Sequence, residues 1–217
     1  MATVIAIDGP AGAGKSTIAK LVAKELNAIY IDTGAMYRAM ALYLLRSHID
    51  IEDEKALAEC VASADISIRF ADGEQQVWLN GENVNGLIRT EEVSSMASVS
   101  SAKGAVRVKL VDLQRKLAED HDVVMDGRDI GTHVLPNAKP KIFLTADSRV
   151  RAKRRYDELT ARGEACDLDT IEKDIIERDE RDKNREISPL RQAEDAILVD
   201  TSDMTIEQVK EKIISLI

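Results

Sequence analysis

Near its N-terminus the chain reads Gly9-Pro10-Ala11-Gly12-Ala13-Gly14-Lys15-Ser16, which matches the pattern G-x-x-x-x-G-K-[ST] at every defined position. The stretch follows the apolar run Val4-Ile5-Ala6-Ile7-Asp8, which predicts a buried strand, and it precedes a helical pattern. Glycines let the backbone curl so that successive N–H groups point at phosphate oxygens, and the helix N-terminus adds partial positive charge. We therefore predict a phosphate-binding loop in which Lys15 reaches the β and γ oxygens of a nucleoside triphosphate and Ser16 ligates Mg²⁺.

Further short apolar runs predict a parallel sheet around this loop. They are Ile29-Tyr30-Ile31-Asp32, Val123-Val124-Met125-Asp126, Lys141-Ile142-Phe143-Leu144 and Ile197-Leu198-Val199-Asp200. Because helical patterns separate these runs, we expect an α/β fold with a doubly wound parallel sheet of the P-loop NTPase type, flanked by helices. The Asp residues at the strand ends fall where ligands bind in such sheets, although Asp is equally expected there as a helix cap or turn residue. Thr205 and Gln208 predict a capping box at the start of the last helix.

The composition narrows the class of protein. The 217 residues suffice for one compact α/β unit, and an aromatic content of 3% predicts an aliphatic core. The formal net charge of −9 argues against long nucleic acids as partners. Cys60 and Cys166 lack the spacing of metal ligands and are expected to be reduced. The first residues hold no basic signal-peptide region and no apolar run is long enough to span a membrane, so we expect a cytoplasmic protein.

One segment departs from the alternation of strands and helices. Apolar residues alternate with polar ones over residues 66–70 and again over residues 77–79. Turn signals at residues 71–74 and at Asn80-Gly81 separate these runs. We therefore predict a small antiparallel insertion over residues of about 64–89.

Two motifs at predicted strand ends point to a second anion beside the loop. In the stretch 32–38, Thr33 and Arg38 are placed to hold a phosphate group, or else the stretch is simply a capped helix with a surface arginine. In the stretch 126–129, Asp126 ends an apolar strand as a Walker-B acid does and, like Asp32, is predicted to hold Mg²⁺ through water. The charged pair that follows is either a structural salt bridge or a pair that reads a ligand, and beside a phosphate loop we favour the second.

Basic residues crowd two later stretches. The first holds Arg149, Arg151, Lys153, Arg154 and Arg155, and the second places Arg178, Arg181, Asp182 and Arg185 on one helix face. A charge run of this kind is usually a solvated helix laced with ion pairs. Arginines on one stripe also suit phosphoryl transfer, because they stabilise charge on the moving group. Residues 149–185, with a flexible point near Gly163, would then form a lid that excludes water.

Together these motifs resemble the bacterial cytidylate kinases, the branch of the nucleoside monophosphate kinases that acts on CMP and dCMP. The resemblance covers essentially the whole chain and rests on residues 7–16, 32–38, 126–132 and 177–185. It implies transfer of the γ-phosphoryl group of ATP to CMP or dCMP with Mg²⁺, and a monomer. The expected organisation is a core of about 1–63, 90–148 and 186–217, a monophosphate-binding insertion of about 64–89, and a helical lid of about 149–185.

The resemblance also implies roles for individual residues. The ATP phosphates would be held by Gly9, Pro10, Ala11, Gly12, Ala13, Gly14, Lys15, Ser16 and Thr17. The acceptor's phosphate would be held by Thr33, Arg38 and Arg128, its cytosine by Ser98, Arg107 and Asp129, and its sugar by Arg178 and Asp182, with Arg185 close by. The catalytic groups would be Lys15, Arg128 and the lid residues Arg154 and Arg181.

The base assignment has a physical reason of its own. Cytosine presents an amine donor beside a ring acceptor, so Asp129 is suited to accept from the amine while Arg107 or Ser98 donates to the ring. Uracil presents an oxygen in place of the amine, and this opposes two acceptors, so we predict a preference for CMP over UMP. The residues alone leave open a P-loop kinase for UMP, AMP or a non-nucleotide acceptor, and a nucleotide-dependent switch that binds a partner protein. The chain has no N-K-x-D guanine-reading motif, which counts against a GTPase.

Overall fold

A computed structural model describes residues 3–71, 74–119 and 121–217. Its strands are β1 (Val4–Asp8), β2 (Ile29–Asp32), β3 (Ile66–Ala71), β4 (Glu74–Leu79), β5 (Glu82–Asn83), β6 (Val123–Gly127), β7 (Lys141–Thr145) and β8 (Ile197–Asp200). Its helices are α1 (Lys15–Glu25), α2 (Thr33–Ser47), α3 (Glu54–Ser63), α4 (Glu91–Ser100), α5 (Gly104–Leu117), α6 (Ser148–Ala161), α7 (Leu168–Asn184) and α8 (Ile206–Ile214). A π-helical turn, Ile130–Val134, follows β6. The turn predicted over residues 71–74 includes residues 72 and 73, which lie outside the described residues.

The five apolar runs form one parallel sheet in the order β2-β6-β1-β7-β8, as the sequence predicts. β1 and β6 are neighbours, and β2 lies on the far side of β6. The register pairs Asp8 with Gly127 and Asp32 with Asp126. Because adjacent strands lie about 4.8 Å apart, the three segments that follow β1, β2 and β6 begin side by side at one edge of the sheet.

Two apolar clusters cover the two faces of this sheet. Alternate side chains of β1 divide between them, with Ile5 and Ile7 on one face and Ala6 on the other. The first face packs against α1 and α8, and the second against α2, α4, α5 and the smaller sheet. The largest fully buried side chains are isoleucine, leucine and methionine, which confirms the predicted aliphatic core. Together the clusters hold the central strands, and therefore the edge that carries their polar ends, in a rigid frame.

The predicted insertion contains a three-stranded antiparallel sheet in the order β3-β4-β5. Gln75 of β4 ties it to the main sheet, because its side-chain oxygen accepts from the N–H of Asp32 at 2.8 Å and its amide donates to the carbonyl of Asp32 at 3.2 Å. The predicted lid segment holds α6 and α7, which pack against each other. Movement of either unit relative to the core stays a prediction.

The remaining local expectations have mixed outcomes. The capping box between Thr205 and Gln208 is confirmed. Of the four carboxylates at predicted strand ends, Asp200 is exposed and accepts hydrogen bonds from the N–H and hydroxyl of Ser202. It therefore stabilises the turn after β8. None of the helices within the described ranges combines the length and apolarity that crossing a bilayer would require.

Candidate active site

The phosphate-binding loop joins β1 to α1, as predicted. Gly9 has a φ of 148°, and a Cβ atom there would lie 1.9 Å from the carbonyl oxygen of Leu144, so only glycine fits beside β7. Lys15 is buried at the first position of α1, and its Nζ donates to the carbonyl of Pro10 at 2.7 Å. Burial, and next the nearby Arg128, lower the pKa of Lys15 to about 7. The loop therefore presents a desolvated ammonium group whose charge is favoured by an anionic ligand.

Oxygen groups suited to a magnesium ion lie beside Lys15. The hydroxyls of Ser16 and Tyr30 donate to the two carboxylate oxygens of Asp126, at 3.0 and 2.9 Å. Burial, and then the neighbouring Asp32, raise the pKa of Asp126 to about 6. Within the described residues no group of three or more His, Cys, Asp or Glu side chains forms a metal centre. Mg²⁺ is usually bound by one or two protein oxygens together with waters and substrate phosphates, and the hydroxyl of Ser16 and the carboxylate of Asp126 are oxygens of this kind.

Asp32 and its neighbours connect this oxygen cluster to α2. Asp32 caps the helix by accepting from the N–H of Ala35 at 2.8 Å, and its other oxygen pairs with Arg38 at 3.3 Å. The hydroxyl of Thr33 donates to the carbonyl of Asp126 at 2.7 Å. The helix cap of the alternative interpretation is confirmed, but its arginine is partly buried and paired with Asp32 rather than at the surface. The cap does not exclude the ligand-binding interpretation, because Arg38 is only partly buried and its guanidinium lies beside Asp32 at the start of α2.

The two charged residues that follow β6 pair with other elements rather than with each other. Nε of Arg128 donates to Asp182 of α7 at 2.9 Å. Asp129 forms an ion pair with Arg107 of α5, and its other oxygen lies 3.3 Å from Nη2 of Arg185. Both Asp129 and Arg107 are buried, with 4% and 2% of their surfaces exposed. Residues from β6, α5 and the end of α7 thus form one buried network, which we call the arginine network: Arg107, Arg128, Asp129, Asp182 and Arg185.

The other predicted arginines divide between the site and the surface. Arg178 is partly buried, and burial together with Arg128 lowers its pKa to about 10. Arg154 donates to the carbonyl and hydroxyl of Thr201 at 2.7 and 3.2 Å, and its Nη1 would lie 4.0 Å from a Cβ at Gly14, at the rim of the loop. Arg181 is exposed, and it lies close enough to Arg178 for its charge to contribute to the lowered pKa of that residue.

Buried polar atoms without a partner concentrate at this network. Among the described residues, eight buried side-chain nitrogen or oxygen atoms have no hydrogen-bond partner in the protein. Five of them belong to residues predicted to bind the acceptor: Arg38, Ser98, Arg107, Arg178 and Arg185. The Arg185 atom is Nη2, which makes no hydrogen bond of good geometry although it is ion-paired with Asp129. Buried polar groups are normally paired, because an unpaired one costs about 1–3 kcal/mol. The concentration of donors in one place therefore points to a polar, anionic ligand there.

Sequence reasoning missed several residues that shape the site. Asp8 accepts from the N–H groups of Ile130 and Gly131, at 2.8 and 2.7 Å, and so fixes the π-helical turn that follows Asp129. Burial raises the pKa of Asp8 to about 6, although these N–H groups oppose the shift. In the sequence, Tyr30 is part of a strand pattern and Arg151 is part of a charge run, and neither pattern by itself indicates a role at the site. For Asp8 and Tyr30 a signal existed, since both lie at or near the carboxyl end of a predicted strand.

The chain is similar to proteins of one enzyme family over almost its whole length. Residues 5–217 match the family described as Cytidylate kinase. The Cytidylate kinase of Caldicellulosiruptor bescii is 52% identical over 212 residues, which cover 98% of this chain and 94% of that protein. The Cytidylate kinase of Lactobacillus gasseri is also 52% identical, over 98% of this chain and 93% of its own length. The crystal structure of a shikimate kinase from Bacteroides thetaiotaomicron has a TM-score of 0.50 and 16% identity, covers 99% and 97% of the two chains, and shares the fold.

Proposed function

This chain belongs to the cytidylate kinase family and phosphorylates CMP and dCMP at the expense of ATP, and we propose here how its own residues do so. One observation carries the proposal. A phosphate-binding loop and a cluster of buried, partly unpaired arginines lie at the same edge of one parallel sheet. The loop suits the triphosphate of ATP, and the cluster suits a second, smaller anion beside it.

The acceptor lies, in our proposal, along the arginine network. Thr33, Arg38 and Arg128 hold its phosphate, and Arg178 and Asp182 hold its sugar hydroxyls. Ser98, Arg107 and Asp129 face the cytosine, with Arg185 beside them. The unpaired atoms of Arg38, Ser98 and Arg178 support this assignment, because each is a buried polar group suited to a polar ligand atom.

The ATP phosphates lie on residues 9–17, with Lys15 on the terminal groups. A phosphate oxygen of CMP attacks the γ-phosphorus in line, the bond from that phosphorus to the bridging oxygen breaks, and ADP leaves with the electron pair. The nucleophile is already an anionic oxygen at neutral pH, so no side chain has to remove a proton. Lys15, Arg128, Arg154 and Arg181 stabilise the charge on the transferring group, and Arg154 and Arg181 do so when α6 and α7 cover the site.

The oxygen cluster fits Mg²⁺, which would be held by the hydroxyl of Ser16 and, through water, by Asp32 and Asp126. Bound there, the ion would neutralise charge on the ATP phosphates and help to orient them. Tyr30 would orient Asp126 by its hydrogen bond. All of these residues come from one chain, so a monomer is sufficient for the reaction.

A coupled ADP-release assay tests the proposal directly. With Mg-ATP and each of CMP, dCMP, UMP and AMP as acceptor, we expect turnover with CMP and dCMP and much lower kcat/KM with UMP and AMP. Removing Mg²⁺ with an excess of chelator should abolish turnover. Equal kcat/KM values for all four acceptors, or undiminished activity in chelator, would contradict the assigned base-reading and metal roles.

A further inference from the structure

A buried ion pair between α6 and α7 binds both the N–H and the carbonyl of Ala11 in the phosphate-binding loop. Arg151 of α6 pairs with Asp179 of α7 at 2.7 Å. Nη1 of Arg151 also donates to the carbonyl of Ala11 at 2.8 Å, while Oδ1 of Asp179 accepts from the N–H of Ala11 at 3.2 Å. The exposed fractions of Arg151 and Asp179 are only 6% and 5%. We call these two side chains the loop clamp.

The loop clamp is also anchored to the segment that joins β7 to α6. Nε of Arg151 donates to the carbonyl of Ala146 at 2.8 Å, which fixes the guanidinium plane. One position further along the loop, a Cβ at Gly12 would lie 3.4 Å from Cβ of Arg151 and 3.8 Å from Cδ1 of Ile175. Ile175 and Asp179 are four residues apart and therefore share a face of α7. Two consecutive loop residues thus rest on the same surface of α6 and α7.

The position of Asp179 on α7 links the two halves of the site. Arg178 precedes it, and Asp182 lies three residues further on, where it accepts from Arg128 of the arginine network. A shift of α7 toward the acceptor therefore moves the carboxylate that holds Ala11. Since the N–H of Ala11 points at Asp179, the clamp also fixes which way this peptide of the loop faces.

We propose that Arg151 and Asp179 are positioning residues that set the conformation of the phosphate-binding loop at Ala11 and couple it energetically to the acceptor-binding helix α7. The proposal rests on the nucleotide sites assigned under "Proposed function". The clamp touches no reacting atom in that assignment. It couples the two sites instead. CMP bound along α7 stabilises the position of α7 in which the clamp holds Ala11, and the loop held in this way binds the ATP phosphates more tightly. Such coupling is reciprocal, so ATP strengthens CMP binding by the same factor.

Isothermal titration calorimetry measures this coupling without turnover. The probe is the non-hydrolysable analogue AMP-PNP with Mg²⁺, titrated into the full-length enzyme with and without saturating CMP. In Asp179→Asn the amide oxygen still accepts from Ala11, but the charge that holds Arg151 is lost. We expect the Kd for AMP-PNP to rise by about tenfold or more, as for a lost charge-assisted hydrogen bond, and the ratio of the Kd values without and with CMP to fall toward one.

A matched control exists on the same two helices. Arg149 pairs with Glu172 at 2.8 Å, so it also links α6 to α7, but half of its side chain is exposed and it does not contact the loop. Arg149→Ala should leave both Kd values and the coupling ratio unchanged. Asp179→Asn leaves a buried arginine unpaired and could fail to fold. The double variant Arg151→Met with Asp179→Leu removes both charges together and is expected to fold, with the same loss of coupling.

The outcomes separate this proposal from the function itself. Loss of coupling in the clamp variants but not in Arg149→Ala would support the loop clamp. A coupling ratio near one in the unaltered enzyme, or an unchanged ratio in a folded clamp variant, would overturn it while leaving CMP phosphorylation intact. A wild-type enzyme that does not phosphorylate CMP would instead overturn the proposed function.

Discussion

Replacing Asp129 tests whether the arginine network reads the base of the acceptor. Its carboxylate is 4% exposed and forms ion pairs with Arg107 and Arg185. In the assigned pose it also accepts from the exocyclic amine of cytosine. In Asp129→Asn the side chain keeps its shape but gains an amide donor, which would pair with the oxygen that uracil presents. The substitution should therefore disfavour CMP and favour UMP.

The size of this effect follows from the burial of the groups involved. A buried hydrogen-bonding group left facing a mismatched partner costs about 1–3 kcal/mol, which corresponds to roughly five- to 150-fold in kcat/KM. We expect the CMP/UMP ratio of kcat/KM to fall at least tenfold. Asp129→Ala is a harsher change, because removing one partner of a buried ion pair costs about 3–5 kcal/mol. For a chain of this length that would lower Tm by roughly 6–20 °C.

The assay is ADP release with CMP and UMP at a temperature where the variant is folded. Asp182→Asn is the control, because Asp182 is assigned to the sugar, which CMP and UMP share. It should lower kcat/KM for both acceptors by similar factors and leave their ratio unchanged. A folded Asp129→Asn enzyme that keeps the wild-type ratio would show that Asp129 only holds the two arginines and does not read the base.

Three further predictions concern the donor side. Lys15→Ala should lower kcat by roughly two to three orders of magnitude, as loss of one preorganised charged donor does, with little change in Tm; near-normal turnover would refute the assignment. With an Asp126 pKa of about 6 and a Lys15 pKa of about 7, kcat/KM for ATP should fall below pH 6 as the carboxylate protonates and above pH 7 as the ammonium deprotonates. Lys15→Arg should lose only the alkaline limb, and an unchanged profile would count against Lys15. Asp126→Asn should raise the Mg²⁺ concentration needed for half-maximal rate at least severalfold, and an unchanged magnesium titration would exclude that role.

The frame of the molecule could be predicted from the sequence because it depends on local patterns. Each strand of the main sheet is a short apolar run, and the loop after β1 is a contiguous motif. The insertion followed from a change of period, from buried runs to alternation. The helix that carries Arg178 and Asp182 followed from their spacing. In all these cases the pattern that predicts the element lies within a few consecutive residues, although the strands then pair with distant ones.

The partners of the charged residues could not be predicted in the same way. Arg151 meets Ala11 across 140 positions, and Asp179 meets it across 168. In the sequence both belong to charge runs that are typical of a solvated helix. What separates them from Arg149 or Arg181 is burial, which depends on the packing of α6 and α7 over the loop. A spacing rule places residues on a helix face, but it does not say whether that face meets solvent or a phosphate loop.

The charges of the site also explain how an acidic chain binds two anions. The net charge of −9 repels nucleotides at a distance, so attraction has to arise locally. At the acceptor side, direct ion pairs join four arginines to three carboxylates: Arg38 to Asp32, Arg107 and Arg185 to Asp129, and Arg128 to Asp182. Asp126 and Asp179 also lie close enough to Arg128 to favour its charge. The charge of Arg178 is nevertheless unfavourable in the protein alone, because burial and then repulsion by Arg128 lower its pKa to about 10. The two apolar clusters on the faces of the sheet offset that cost, and an anionic ligand relieves it. The same repulsion between Arg128 and Arg178 that destabilises the free protein therefore strengthens the binding of its substrates.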